Sequence, residues 1–277
     1  MALPLVQVAL SVHDLDRTSR WYEDVFGFLP SGRRSHGGEQ IARVQGLPVS
    51  EFELAWLVDA KDFFQLELFQ FRAPEPRPRP DGWTRADVGY ASFAIYVRDF
   101  EQTLARLGVT GSGRVTVADP DGTLVEVLEN DPVGGEWLRP EVPSVVRGVS
   151  VSVRDLDRAR RFWVDTLGLE PAGGGGRSVV LAAGGATIEL VEHPGGRDWP
   201  DGYRISDYGI VNIALGGPDE DGWHETIART KAAGYHHNEE IHSGDVDAVY
   251  LDDDQGFSVE LLRRRSETRH MGGFDPV

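Results

Sequence analysis

The side chains best suited to moving a proton near neutral pH concentrate in one stretch. Residues 235–242 read Tyr-His-His-Asn-Glu-Glu-Ile-His, the one histidine cluster in the chain. On a strand, His236, Asn238, Glu240 and His242 share one face while His237 and Glu239 share the other. A face turned into a pocket would let His237 or His242 act as a general base. The plainer reading is an exposed edge strand whose polar side chains discourage sheet-to-sheet association. His13, His36 and His270 fall in turn, loop or tail contexts and carry no assigned role. Cysteine is absent, which excludes disulfides, thiolate metal sites and a cysteine nucleophile. The run Gly173–Gly176 leads into neither Lys-Ser nor Lys-Thr nor a helix, so no phosphate cradle is indicated. Trp56, Trp83 and Tyr203 are candidates for the wall of an organic-ligand pocket; Trp83 and Tyr203 follow matched Pro-Asp-Gly triplets.

The elements that position these groups are duplicated. The segment from Val8, VALSVHDLDRTSRWYEDVFGFLP, aligns without a gap on the segment from Val149, VSVSVRDLDRARRFWVDTLGLEP. Each copy opens with period-2 alternation (Val8, Leu10, Val12; Val149, Val151, Val153), the pattern of a strand with one buried face. Asp14 or Asp16, and Asp155 or Asp157, can cap the helix that follows, and Gly27 and Gly168 stop it. Three strand-like stretches come next in each copy, with the glycine run serving as a hairpin turn in the second. A weaker repeat joins Pro80-Asp81-Gly82, Asp87 and Gly89 to Pro200-Asp201-Gly202, Asp207 and Gly209. Helices near Phe100–Leu107 and Gly222–Ala233 belong to those later units. The chain thus reads as four βαβββ modules of α+β class: residues 1–132 hold two, 133–145 form a Pro/Gly-rich linker, 146–263 hold two more, and 264–277 form a tail without periodicity.

Composition sets the outer bounds. Apolar residues make up 40% and charged residues 26% of the 277 residues, and no apolar run approaches the ~20 residues of a membrane-spanning helix. The amino terminus lacks the features of a secretory signal, so a cytoplasmic protein is expected. A formal charge of −17 argues against nucleic acid, whose binding depends on Lys and Arg neutralising phosphates.

The strand, Asp-Leu helix, aromatic pair, Phe-Gly or Leu-Gly stop and later Glu-Leu strand together resemble the vicinal oxygen chelate superfamily of glyoxalase I, bleomycin-binding proteins and extradiol dioxygenases. The resemblance implies two fused glyoxalase-like domains with curled mixed sheets. It also implies metal ligands on the first and last strand of each module. The positions so marked are Gln7 and Glu67 in module one, Ser92 and Glu126 in module two, Gly148 and Glu189 in module three, and Asn212 and Glu260 in module four. All four closing positions are glutamate and none of the opening ones is histidine. That departs from the two-histidine, one-carboxylate site of an iron-dependent dioxygenase. Oxygen donors still suit Mg²⁺ or Mn²⁺, with Zn²⁺ or Fe as further candidates. Pairing decides which ligands meet. Sequential pairing gives Gln7, Glu67, Ser92 and Glu126, and separately Gly148, Glu189, Asn212 and Glu260; exchanged pairing joins Gln7 and Glu67 to Asn212 and Glu260.

The implied function is an enzyme acting on a small oxygenated molecule by metal-assisted isomerisation, epimerisation or lyase chemistry. Glu67, Glu126, His237 and His242 are its catalytic candidates, Gln7, Glu67, Glu126, Asn212 and Glu260 its ligand candidates, and Trp56, Trp83, Ser92 and Tyr203 its pocket candidates. The alternative is a metal-free protein that sequesters its small-molecule ligand, the closing glutamates then being hydrogen-bonded inside the pocket. The fused pair would be a monomeric pseudo-dimer or would form homodimers.

Overall fold

A computed structural model describes residues 3–277 apart from Glu136, Gly244, Asp254 and Gly256. Both Asp-Leu-Asp elements start a helix in the same way. Asp14 accepts from the Arg17 amide at 2.9 Å and Asp155 from the Arg158 amide at 2.8 Å. The first aspartate of each motif is therefore the cap, and the second sits in the first turn, where the helix dipole favours negative charge. Module one runs β1 (Leu5–Ser11), α1 (Leu15–Phe26), β2 (Leu29–Gly37), α2 (Glu39–Gln45), β3 (Glu51–Val58) and β4 (Gln65–Ala73). Gly27, at φ 68°, ends α1 in the left-handed conformation that a side chain disfavours.

Module two runs β5 (Gly89–Val97), α3 (Phe100–Leu107), β6 (Arg114–Ala118) and β7 (Leu124–Leu128). It has two strands after its helix where three were expected, since residues 108–113 between α3 and β6 form no strand. Module three runs β8 (Ser144–Val153), α4 (Leu156–Arg160), a π-helical turn (Arg161–Thr166), β9 (Glu170–Gly175), β10 (Ser178–Ala182) and β11 (Thr187–Glu192). The glycine run is mostly strand, not turn: Gly173, Gly174 and Gly175 lie within β9, and the chain reverses at Gly176 and Arg177. Module four runs β12 (Gly209–Gly217), α5 (Glu220–Ala232), β13 (Ile241–His242), β14 (Val246–Asp252) and β15 (Ser258–Arg264).

The modules pair by exchange. One sheet has the order β13-β14-β15-β12-β1-β4-β3-β2 and the other β6-β7-β5-β8-β11-β10-β9. Module one therefore shares a sheet with module four, and module two with module three. The joints are the antiparallel pairs β1/β12, with Ala9 opposite Asn212, and β5/β8, with Phe93 opposite Val149. Val8, Leu10 and Val12 pack with Val149, Val151 and Val153 in one apolar core that includes Tyr22, Phe162 and Trp163. Strand alternation then turns Gln7 and Ala9 to the opposite face.

Two reciprocal clasps tie the halves together. Arg77 donates to Asp207 (Nε to Oδ1, 2.9 Å) and to the carbonyls of Pro200 and Gly202. Arg197 repeats this on Asp87 (2.9 Å) and the carbonyls of Asp81 and Gly82. The matched Pro-Asp-Gly segments are thus the receiving ends of two cross-half clasps. Among the described residues no helix is long and apolar enough to cross a membrane.

Candidate active site

β1, β4, β12 and β15 lie side by side in the eight-stranded sheet and bring Gln7, Glu67, Asn212 and Glu260 to its centre. All four are buried. Gln7 Nε2 lies 3.0 Å from Glu67 Oε2 and 3.1 Å from Glu260 Oε2, so one amide bridges two carboxyls from different modules. Trp56 Nε1 donates to the other oxygen of Glu67 at 2.7 Å. A cavity of about 340 Å³ opens onto the pair, walled by Phe52, Trp56, Phe69 and Tyr250 and flanked by Arg34 and Arg264.

Burial dominates the electrostatics here. It pushes the Glu67 carboxyl up to about 8, helped by the Glu260 charge and opposed by the Trp56 hydrogen bond. It pushes Glu260 up to about 7 against the pull of Tyr250, Gln7 and Arg264. Two acids sharing a buried site cannot both ionise cheaply, so the pair keeps protonated character near neutrality. The Tyr250 hydroxyl is raised well above its ordinary value by burial and then by Glu260 and Glu67, so it stays a donor.

Two amides qualify the site for a cation. The Asn212 amide is fully buried with neither polar atom in a completed hydrogen bond, although the Tyr250 hydroxyl faces it and Glu260. Amide orientation follows from hydrogen bonding. With Gln65 Nε2 toward Gln7 Oε1 (2.6 Å), the Gln65 oxygen confronts two carbonyls. Turned over, Gln65 donates to Gly272 and Gly273 oxygens at 2.7 and 2.9 Å. Gln7 must then turn too, which sets three oxygens against one another and calls for a proton or a cation between them. Two carboxyls and two amide oxygens are the donors a hard divalent ion prefers. Among the described residues no three His, Asp or Glu side chains form a metal-holding group, so amide and water oxygens would complete the shell.

The other candidates lie elsewhere. Ser92 and Glu126 belong to the seven-stranded sheet and share no site with Glu67. There Ser92 donates to Glu126 at 2.6 Å, and Arg85 and Arg114 ion-pair with both Glu126 oxygens. Gly148 and Glu189 are in that same sheet. His237 bonds Thr230 at 2.9 Å, and half-exposed His242 bonds Asp247 and Glu240. Neither lines the 340 Å³ cavity; the expected histidine strand is only the two-residue edge strand β13 plus a bridge at His237. Trp83 and Tyr203 line a gap at the module junction. An adjoining cleft of about 530 Å³ is larger but holds no buried acid pair. Tyr250 and Gln65 were missed by sequence reasoning. Gln65 had a usable signal, since it precedes Glu67 by two and strand alternation puts both on one face.

Two matches with one family description cover most of the chain, at residues 6–122 and 146–261. The chain belongs to the glyoxalase/bleomycin resistance protein/dioxygenase superfamily. Each match of this superfamily spans two consecutive modules, whereas each sheet joins modules from both halves. No curated protein sequence matches. Similar solved structures include glyoxalase I from Zea mays (18% identity, 98% of this chain and 95% of that one, TM-score 0.65). Another is a Bacillus subtilis protein described as a candidate dioxygenase (15% identity, 97% and 90% coverage, TM-score 0.70). At such identities the likeness speaks for the fold alone.

Proposed function

We propose that the chain is an enzyme that shifts protons on a small oxygenated organic molecule, by isomerisation, epimerisation or a lyase reaction. Glu67 and Glu260 are its acid–base pair. The observation that carries this reading is a buried carboxyl pair, bridged by Gln7 and opening onto an aromatic cavity, with acidities near neutrality. General acid–base catalysis is most effective when the group titrates near the working pH. One carboxylate takes a proton from the carbon beside a carbonyl. The other, protonated, returns one to the neighbouring oxygen or carbon, so an isomerisation moves protons without net loss. Trp56 orients Glu67, Tyr250 supports Glu260, and the aromatic wall keeps water from the reacting carbon. Gln7, Glu67, Asn212 and Glu260 would hold a divalent cation such as Mg²⁺ or Mn²⁺, which when bound polarises a carbonyl.

The test is a panel of α-hydroxy and α-keto carbonyl compounds in deuterated water, with and without Mg²⁺ or Mn²⁺, followed by NMR for loss of the C–H signal. Exchange that disappears in Glu67→Gln and Glu260→Gln supports the reading; exchange that survives both sinks it. The second reading, a sequestering protein without metal, is favoured by the protein donors on the two acids, Trp56 on Glu67 and Tyr250 on Glu260. It predicts ligand affinity unchanged by chelators and no stoichiometric cation on elemental analysis.

A further inference from the structure

The C-terminal segment lies against this cavity. A 3-10 helix, Ser266–Gly272, follows β15, and Gly273 turns the chain at φ 78°. Phe274 is fully buried and stacks on Phe63 at 4.2 Å. Arg139 holds the Phe274 carbonyl at 2.8 Å, and the Val277 amide donates to Pro30 at 3.0 Å. The segment is thus pinned just beyond the stretch that meets the cavity.

Within that stretch Arg269 anchors the chain outward, on Asp62 and Asp275, while toward the cavity the stretch presents main-chain oxygens to donors. Arg264 donates to Thr268 O at 3.4 Å and Arg34 to Met271 O at 3.3 Å. Gln65, in its satisfied orientation, meets the Gly272 and Gly273 oxygens. A neutral carbonyl is a weak partner for a guanidinium, which bonds a carboxylate about twice as strongly. Among the described residues, neither Arg34 nor Arg264 has a carboxylate within the 4.0 Å of an ion pair, although the chain has 45 acidic residues against 28 basic ones. Burial foremost pushes the Arg264 guanidinium down, the Arg34 charge adding to it and the Asp245 and Glu260 charges opposing it. At the edge of the cavity two neighbouring guanidiniums, Arg34 exposed and Arg264 partly buried, thus meet main-chain oxygens where a carboxylate would bond them more strongly.

We infer that the cavity takes a small organic acid, an apolar body bearing a carboxylate, whose oxygens replace those of residues 268–273 at Arg34 and Arg264. This rests on the acid–base reading of the cavity and names the substrate class for it. The carboxylate anchors at the arginines, the body lies along Phe52, Phe69 and Trp56, and the reacting carbon comes to Glu67 and Glu260. The segment 266–273 is what the acid displaces.

Calorimetry on the full chain with 3-phenylpropanoate, its neutral amide and phenyl phosphate tests this. The carboxylate should bind about tenfold tighter than the amide. The double variant Arg34→Gln, Arg264→Gln should erase that preference, and Arg34→Lys, Arg264→Lys should keep it, which separates lost charge from lost folding. Hydrogen exchange of residues 266–277 should quicken when the carboxylate is bound. Equal binding of amide and carboxylate, a preference that survives the glutamine variant, or a slowed segment overturns the inference and leaves the acid–base reading standing. Preference for phenyl phosphate alone overturns the carboxylate assignment. If none of the three binds, the cavity is no ligand site and both readings fall.

Discussion

The two sheets of this chain are built from the same module and treat the same residue in opposite ways. In the eight-stranded sheet Glu67 and Glu260 face each other through Gln7, and burial holds them toward the neutral form against the pull of Arg264 on Glu260. In the seven-stranded sheet Glu126 is buried too, yet Arg85 and Arg114 neutralise it from both sides. Its would-be partner position is Gly148, where even a Cβ would approach Thr187 Oγ1 to 2.9 Å. A buried carboxyl without a cation is poised for protonation or metal; one between two guanidiniums is a structural ion. The same glutamate on the same kind of strand is therefore held toward its neutral form in one sheet and paired with guanidiniums in the other.

The comparison breaks first on chemistry. Glu67→Gln should lower proton exchange on a turned-over substrate by at least about a hundredfold, while Glu126→Gln leaves it within twofold or so, read by NMR exchange rates. Equal losses would mean that both sheets work.

Next come the clasps. Asp207→Ala strips acceptors from Arg77 and Arg204 at once and should cost roughly 3 kcal/mol in denaturant unfolding. Asp87→Ala should cost less, because the Arg197 side chain it strands is 51% exposed and is largely rehydrated.

The sign of a stability change sharpens the contrast further. Between the ordinary carboxyl value of 4.5 and about 8, the folded, cation-free protein keeps a proton on Glu67 that the unfolded chain releases. Its contribution is therefore complete below that window and is lost as the pH rises through it. Glu67→Gln should flatten this slope and stabilise the cation-free protein at pH 8 by on the order of 2 kcal/mol. Glu126→Gln should destabilise it by about 1 kcal/mol or less, since its arginine partners are half-exposed. Thermal melts of the two variants at pH 5 and pH 8 check both signs. A cost of the same order, about 1 kcal/mol from crowding against Thr187, is expected at Gly148→Ala, with no change in exchange chemistry.

Sequence and structure divide at identifiable residues. Period-2 alternation in β1 and β8, the Asp caps and the stops at Gly27 and Gly168 are local, and each was legible because a few neighbouring residues determine it. The four closing glutamates were legible as well. What was not legible was whether a glutamate has a guanidinium above it, since Arg85 and Arg114 reach Glu126 from 41 and 12 positions away and nothing in their spacing announces it. The histidine run misled for a related reason: its composition suits proton transfer, but β13 is a sheet edge and its partners are Asp247, Glu240 and Thr230. Residues 266–277 lack any periodicity because they are held by single anchors, Phe274 and Arg269 among them, and not by a repeating face.

By itself, then, the chain's residue order determined four related modules, their strand faces and the acids on their closing strands, because alternation, capping and turn chemistry act over a few residues. Only the tertiary structure decided that module one pairs with module four. Strands with matching apolar faces can join in more than one order, and the choice rests on contacts such as β1 with β12, made between residues some two hundred positions apart. That pairing brings Gln7, Glu67, Asn212 and Glu260 together, and it leaves Glu126 to its arginines.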